Sequence, residues 1–235
     1  MPIEEARPHP LDVLGASSSR QQRAWAVAAG IEVALAVTAV LLDLLIPTLV
    51  LLALATVSLL VRRRGLASLG LHRPAQPGRL VIEVFGLSIG WTLLTLALLM
   101  PLAEHLTGRT QDVSQFAAVQ GSVSLLLLLL LMSWTLAAIG EEIAYRGYLQ
   151  TRIRDILPDG RTGLVIAVLL SSAVFGLAHS EQGLVGILLT TVDAIFFSVL
   201  RYRYRTLWAA VLGHGFNNSI GLIAYFTVGP FYGLW

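Results

Sequence analysis

The sequence predicts an all-α membrane protein, a polytopic bundle of about seven transmembrane helices. The 235 residues are 56% hydrophobic and only 13% charged, whereas about a quarter of the residues in a typical soluble domain are charged. The mean hydropathy is +0.76. Several apolar runs also approach the roughly 20 residues that a helix needs to cross the hydrocarbon core of a bilayer.

Seven apolar segments are candidate transmembrane helices. They are residues 24–42, 44–61, 80–103, 123–150, 162–180, 184–200 and 207–228. Asp43 and Pro47 leave a short break between the first two segments, which predicts a helical hairpin. The segment 65–78 is only partly apolar, and we interpret it as a linker at the membrane surface.

The distribution of arginine predicts the orientation of this bundle. The chain has no lysine, and all 16 basic residues are arginine. With seven spans, 15 of the 16 arginines fall on the side of the N-terminus, and only Arg109 falls on the other side. Because cytoplasmic loops are enriched in basic residues, the N-terminus is predicted to be cytoplasmic and the C-terminus external.

The domain organisation follows from where the chain is polar. Residues 1–22 are polar, with prolines and a run of serines, and we interpret them as a disordered cytoplasmic arm. Residues 23–235 are predicted to form a single membrane-embedded domain, because no polar stretch is long enough for a second one. The absence of cysteine excludes disulfides and thiolate chemistry. The high isoelectric point reflects the loop arginines and does not indicate nucleic-acid binding.

Two adjacent glutamates lie where an apolar segment should continue. Residues 124–139 are almost entirely apolar and lead directly into Glu141 and Glu142, with Arg146 close behind. A carboxylate at membrane depth is costly and is therefore a functional-site hypothesis by default. Since residues four apart share a face of an α-helix, Glu142 is predicted to pair with Arg146. Glu141 would point about 100° away and be free to act as a base.

Two histidines on later apolar segments are candidates to join these glutamates. If the chain turns at residues 158–160, His179 falls within about one helical turn of Glu142 in height. His214 and Asn218 are four residues apart and share a face of their helix. His214 lies only about ten residues from the turn at Arg201–Arg205, so straight helices would place it several residues lower than His179. Helix tilt or an uneven turn is required to bring the two histidines level. Taken alone, a transmembrane histidine is more often a hydrogen-bonded packing residue than a catalytic one.

Three further carboxylates lie on apolar segments. Glu32 and Glu83 lie near the ends of their segments, and we interpret both as interfacial or structural. Asp193 lies in the middle of its segment, where it could form hydrogen bonds within the bundle or support a histidine.

Three motifs together resemble those of the CAAX-protease and bacteriocin-processing family (CPBP, or Abi). The chain carries Glu141-Glu142 followed by Arg146, then Phe175-x-x-x-His179, then His214-x-x-x-Asn218. The family motifs EExxxR, FxxxH and HxxxN/D occur in the same order on successive membrane helices. The motif core covers about residues 120–220, with weaker similarity back to about residue 69.

The resemblance implies an intramembrane endopeptidase that hydrolyses a peptide bond of a membrane-associated protein or peptide. Glu141 would be the general base that activates water. His179 would orient that water or bind a metal ion. His214 and Asn218 would stabilise the tetrahedral oxyanion, whose stabilisation is often the largest contribution to acyl-transfer catalysis.

The same resemblance implies that Glu142 and Arg146 order the site, and it leaves metal dependence open. Glu141, His179 and His214 are a possible ligand set for a divalent metal such as zinc, with an open fourth position. The sequence lacks the HExxH signature that is usual in zinc proteases. Catalysis by glutamate and histidine without a metal is the alternative.

Two other functions remain open from the sequence. One is a non-catalytic membrane protein that binds a peptide or confers immunity to a bacteriocin. The other is a proton-coupled transporter, which the absence of an internal repeat disfavours. The expected partners are a membrane-associated substrate and the lipid bilayer, with no nucleic acid, and the oligomeric state is not predicted. The expected location is the cell membrane, as a multi-pass protein of a bacterium.

Overall fold

The computed structural model describes residues 19–230. These residues form helices and connecting turns without any β-strand, which confirms the prediction of an all-α fold. Of the arm predicted at 1–22, residues 1–18 lie outside the described residues, and the first helix already begins at Ser19. The single domain predicted at 23–235 stays a prediction.

Seven long helices follow one another in the described part of the chain. They are α1 (Ser19–Leu41), α2 (Pro47–Val61), α3 (Pro77–Thr107), α4 (Val123–Ile156), α5 (Arg161–Leu177), α6 (Gly183–Tyr204) and α7 (Leu207–Val228). Short 3₁₀ turns at Leu66–Leu69, Ser114–Val119 and Ser180–Gln182 lie in three connections. Each predicted apolar segment coincides with one helix, and the largest difference is at the end of α4.

The apolar helices indicate a multi-pass membrane protein. Four helical stretches are long and apolar enough to cross a membrane, namely Gln21–Leu41, Pro77–Thr107, Val123–Ile156 and Ser180–Tyr204. Helices α2 and α5 are apolar but shorter. Helix α7 belongs to neither group. The count of seven spans and the cytoplasmic N-terminus therefore stay predictions.

Local sequence explains where several helices begin. Pro47 and Pro77 lie in the first turns of α2 and α3, where a missing N–H costs no helical hydrogen bond. Thr206 caps α7 by accepting a hydrogen bond from the backbone N–H of Trp208 at 3.4 Å.

Two of the helices depart from α-helical geometry. In α3, a π-helical turn at Thr95–Leu99 comes just before Pro101, whose ring has no N–H to donate. In α4, the stretch Ser133–Leu149 is a π-helix, in which each N–H reaches the carbonyl five residues earlier. Both adjacent glutamates lie in this stretch. The α-helical geometry assumed from the sequence is therefore wrong here, and the angle between the two side chains is smaller than 100°.

Helix α4 lies at the centre of the bundle and packs against α1, α2, α5 and α7. Small residues allow the closest approaches. Gly215 of α7 lies against the indole of Trp134 in α4, where a Cβ atom would come within 2.5 Å of the ring. Gly176 of α5 similarly lies against Thr191 of α6.

A buried glutamine fixes the mutual positions of α4, α5 and α6. The Gln150 amide donates hydrogen bonds to Ser171 at 3.0 Å and to Ser198 at 3.1 Å. Its carbonyl accepts hydrogen bonds from Arg201 at 3.1 Å and from Tyr202 at 3.2 Å. Both the donor and the acceptor capacity of the amide are thus used. Arg201 also donates to the backbone carbonyl of Arg146, one turn earlier in α4.

Candidate functional site

A buried ion pair on α4 and a histidine from α7 form the centre of the site. Arg146 Nη1 lies 3.0 Å from Glu142 Oε1, and the side chains are 1% and 0% exposed. The pair predicted from the sequence is therefore present. His214 Nδ1 lies 2.9 Å from the same carboxylate oxygen. Removing either partner of a buried ion pair leaves a charge uncompensated, so the three groups depend on one another.

Aromatic rings enclose this charged centre. The guanidinium of Arg146 lies over the ring of Phe175, with 4.1 Å to the centroid, and 5.4 Å from the centroid of Phe197. The imidazole of His214 stacks on Phe197 with a centroid distance of 4.8 Å. Tyr145 meets Phe175 edge to face at 5.0 Å. The ring faces stabilise the arginine cation where water cannot reach it.

Glu141 lies beside this centre and approaches only one of its groups, His214. Its side chain is 16% exposed, and its Oε2 lies 3.8 Å from His214 Nε2. That oxygen is buried and has no hydrogen-bond partner among the described residues. A contact of this length between two polar atoms can be bridged by a water molecule. Because Glu142 holds Nδ1 of His214, the other ring nitrogen is directed to the same space as Glu141.

His179 lies just after the end of α5 and is half-buried. Its Nδ1 lies 2.9 Å from the backbone carbonyl of Phe175, to which it donates a hydrogen bond, and this leaves Nε2 as an acceptor. Its ring also contacts the ring of Phe175, with 4.6 Å between centroids. The Phe175 ring reaches His214 as well, at 6.0 Å. The contacts of Phe175 thus connect His179 to the centre of the site.

Asn218 follows His214 by one turn of α7 and is half-buried. Its amide makes no hydrogen bond to the described residues, in contrast to its neighbour Asn217. Asn217 accepts a hydrogen bond from Thr92 at 3.0 Å and donates to Asp193 at 3.5 Å. The two asparagines therefore have different surroundings although they are adjacent in sequence.

Asp193 belongs to a second polar cluster, which ties α3, α6 and α7 together. Its Oδ1 accepts a hydrogen bond from the indole N–H of Trp91 at 2.6 Å, and Asn217 donates to its Oδ2. The Trp91 ring stacks on Phe196 with 4.4 Å between centroids. The described contacts of Asp193 are hydrogen bonds within the bundle, which was one of the two roles considered from the sequence.

The remaining two carboxylates singled out in the sequence have arginine partners near the helix ends. Glu32 of α1 lies 2.5 Å from Arg62, and Glu83 of α3 lies 2.5 Å from Arg79. These pairs agree with the interpretation of both glutamates as interfacial or structural residues.

The residues predicted as metal ligands are only partly brought together. Glu141 and His214 face each other, but within residues 19–230 no group of three or more His, Cys, Asp or Glu side chains is arranged to hold a metal ion. The histidines nevertheless have the supporting contacts that metal ligands use, because a carboxylate holds Nδ1 of His214 and a carbonyl accepts from Nδ1 of His179. The donor chemistry of Glu141 and His214 fits a metal, and a third donor would have to move to join them.

The fold and the site define a class, a helical membrane protein whose buried centre combines two carboxylates, an arginine and imidazole. Residues 123–220 match a family model described as type II CAAX prenyl endopeptidase Rce1-like. The match includes α4, α5, α6 and the first half of α7, and it supports the CAAX-protease (CPBP) family. This confirms the resemblance drawn from the three motifs and supports a protease, and hence a hydrolase, as the general class. No curated protein and no solved structure gives a significant match.

Proposed function

We propose that the protein is an intramembrane endopeptidase that cleaves a membrane-associated protein or peptide with a water molecule activated by Glu141. The observation that carries this proposal is the approach of Glu141 to His214 beside the buried ion pair. A buried carboxylate oxygen without a hydrogen-bond partner lies there, 3.8 Å from an imidazole nitrogen. The family match supports the reaction class.

In the proposed reaction, a water molecule donates a hydrogen bond to Glu141 Oε2. Glu141 takes the proton as the water oxygen attacks the peptide carbonyl, and this gives a tetrahedral intermediate with an oxyanion. Glu141 then returns the proton to the leaving amine, and the C–N bond breaks. General base catalysis of this kind typically contributes about 10²- to 10⁴-fold in rate.

The oxyanion requires hydrogen-bond donors, and we assign this role to His214 and Asn218. Both lie on the same face of α7. Asn218 supplies an amide that makes no hydrogen bond to the described residues. In an imidazolium ring both nitrogens carry a proton. Nδ1 of His214 then donates a hydrogen bond to Glu142, and Nε2 is the donor available to the oxyanion. We assign His179 to orientation of the water, since its Nε2 is an acceptor once Nδ1 is bound to the Phe175 carbonyl.

Glu142 and Arg146 have a different task in this proposal. Both are buried, and the described contacts of their side chains are to each other, to His214 and to the surrounding rings. They act as positioning residues that hold the imidazole in one orientation.

Metal dependence is a separate part of the proposal. Glu141 and His214, with His179 as a third ligand, are the residues that would hold a divalent metal such as zinc. When bound, such an ion would polarise the peptide carbonyl and acidify water. The proposed proton transfers involve only the side chains. Catalysis by glutamate and histidine without a metal is therefore the other possibility, and sensitivity to a chelator distinguishes the two.

The proposal is tested by cleavage of a fluorogenic peptide library by the detergent-purified protein. Wild type should cleave, and Glu141→Gln should lose about 10²- to 10⁴-fold in kcat while remaining folded. Glu83→Gln is the matched control, because it makes the same change in an exposed ion pair of α3 and should keep wild-type activity. Cleavage by Glu141→Gln at the wild-type rate would overturn the general-base assignment.

The same assay with a metal chelator addresses the metal. Activity lost with the chelator and restored by zinc would support metal binding by Glu141, His179 and His214. Activity unaffected by the chelator would support metal-free catalysis.

We further propose that the protein works in the cell membrane of a bacterium, where its substrate and the bilayer are its partners.

A further inference from the structure

A polar cavity of about 760 Å³ lies at the end of the bundle opposite the arginine-rich connections. Its lining consists of residues 108–114, Ala117, Tyr225 and Pro230. We call it the loop cavity, because most of this lining belongs to the connection between α3 and α4. The assigned catalytic residues do not line it, so it is a feature separate from the site described above.

Hydrogen bonds connect one wall of the loop cavity to the turn that carries His179. The backbone N–H of Asp112 donates to the carbonyl of Gln182 at 3.0 Å, and the amide of Gln111 donates to the Gln182 side chain at 2.8 Å. The backbone N–H of Gln182 in turn donates to the carbonyl of His179 at 3.1 Å. Gln182 itself is buried. The cavity wall and the His179 turn are therefore held in a fixed relation.

The opposite wall of the loop cavity belongs to α7, the helix that carries His214 and Asn218. Tyr225 lines the cavity, and its ring meets Phe116 edge to face at 6.3 Å. Tyr225 follows Asn218 by seven residues, which is roughly 10 Å along a helix at 1.5 Å per residue. An extended peptide covers that distance in about three residues, at roughly 3.3 Å each.

The lining is suited to a peptide rather than to a lipid chain. It carries one charge of each sign, on Arg109 and Asp112. The hydroxyl and the backbone N–H of Ser114 both donate to the Asp112 carboxylate and hold its pKa below the usual range, so this aspartate is ionised at neutral pH. Thr110 and Gln111 add neutral hydrogen-bonding groups. Acyl chains offer no partners for such groups, whereas a polar peptide segment does.

We propose that the loop cavity receives the polar segment of the peptide substrate, beginning about three residues from the scissile bond. This inference rests on the proposed endopeptidase function and specifies its substrate class, a membrane-associated peptide with a polar extension on one side of the cleavage site. The substrate then reaches the catalytic side chains from the end of the bundle that carries the connection between α3 and α4.

The protein offers a matched control for this inference. A smaller cavity of about 280 Å³, lined in part by Ala75, Arg79 and Tyr204, lies at the other end of α3. Ala117 in the loop cavity and Ala75 in the smaller cavity are both exposed. Because the chain has no cysteine, Ala117→Cys and Ala75→Cys each create the one thiol of the protein, which a maleimide can label selectively.

The test uses these two variants with a bulky maleimide and two peptides. One peptide has about 20 apolar residues and a polar extension beyond the cleavage site, and the other lacks the extension. Labelling of Ala117→Cys should raise KM for the extended peptide about tenfold or more and leave cleavage of the short peptide unchanged. Labelling of Ala75→Cys should change neither. Equal cleavage of the extended peptide before and after labelling of Ala117→Cys would overturn the inference while leaving the proposed function intact.

A binding readout keeps the inference testable even without cleavage. In a Glu141→Gln background, saturating extended peptide should slow maleimide labelling of Ala117→Cys and should not slow labelling of Ala75→Cys. If no variant cleaves any peptide, the proposed function fails, and this protection experiment still decides whether the loop cavity binds the polar segment. Labelling of both thiols at rates independent of peptide would contradict the inference.

Discussion

The bundle contains two clusters in which glutamates contact basic side chains of neighbouring helices. They differ in which groups surround the carboxylates. In the shallow cluster, Glu32 of α1 lies 2.5 Å from Arg62 of α2 and 4.0 Å from Arg152 of α4. Arg152 also pairs with Asp155 at 2.9 Å. Two arginines thus meet two carboxylates in the shallow cluster.

The deep cluster is arranged differently. Arg146 pairs directly with Glu142, whose carboxylate is 0% exposed, and Arg201 adds a more distant positive charge. His214 lies against both carboxylates, at 2.9 Å from Glu142 and 3.8 Å from Glu141. The comparison shows that an ion pair at membrane depth is not in itself a sign of catalysis. The informative feature of the deep cluster is a second carboxylate, that of Glu141, which faces an imidazole nitrogen of His214 at 3.8 Å.

The largest effect expected on stability comes from removing the cation of the deep cluster. Arg146→Met would leave two carboxylates without a guanidinium in a buried site and should lower the free energy of unfolding by about 3–5 kcal/mol. Thermal unfolding in detergent measures this loss. Arg62→Met in the shallow cluster is the control and should cost much less, because its partner Glu32 is 19% exposed and keeps Arg152. Equal losses of unfolding free energy in Arg146→Met and Arg62→Met would show that the two clusters contribute alike to stability.

The next effect concerns the two adjacent asparagines of α7. Asn218→Ala should lower kcat about 10²- to 10³-fold, the usual cost of losing one oxyanion donor, with little change in thermal unfolding. Asn217→Ala should instead lower stability, because Asp193 and Thr92 lose a partner. Peptide cleavage and unfolding of both variants test this division. A larger loss of kcat in Asn217→Ala than in Asn218→Ala would reverse the assignment.

Much of the architecture could be predicted from the sequence because the apolar runs are long and clearly interrupted. Pro47 and residues 158–160 mark helix boundaries that the structure also has. The pair formed by Glu142 and Arg146 could be predicted because it needs only the geometry of one helix. The family could be predicted because three short motifs occur in order on successive apolar segments.

The contacts between helices could not be predicted in the same way. His214 meets Glu142 across 72 positions, and the straight helices assumed from the sequence left the two histidines at different depths. In the structure, His214 contacts the glutamates directly, and His179 is connected through Phe175. The π-helix of α4 begins only after the run of leucines, and its sequence carries no recognisable signal for it. The contacts of Gln150 depend on three helices meeting at one residue.

The smallest effect is expected for Glu32→Gln, and it tests the comparison most directly. The substitution removes the charge of Glu32 but keeps the size of the side chain. Because Arg152 keeps its ion pair with Asp155 at 2.9 Å, the loss of stability should be smaller than in Arg146→Met, with no change in kcat. Glu142→Gln makes the same change in the deep cluster. There it weakens the hold on His214 Nδ1, and kcat should fall because the imidazole loses the partner that orients it. Cleavage rates and thermal unfolding of the two variants should therefore separate. If Glu32→Gln reduced kcat as much as Glu142→Gln, charge balance near α4 as a whole, rather than the contact of Glu142 with His214, would control the reaction.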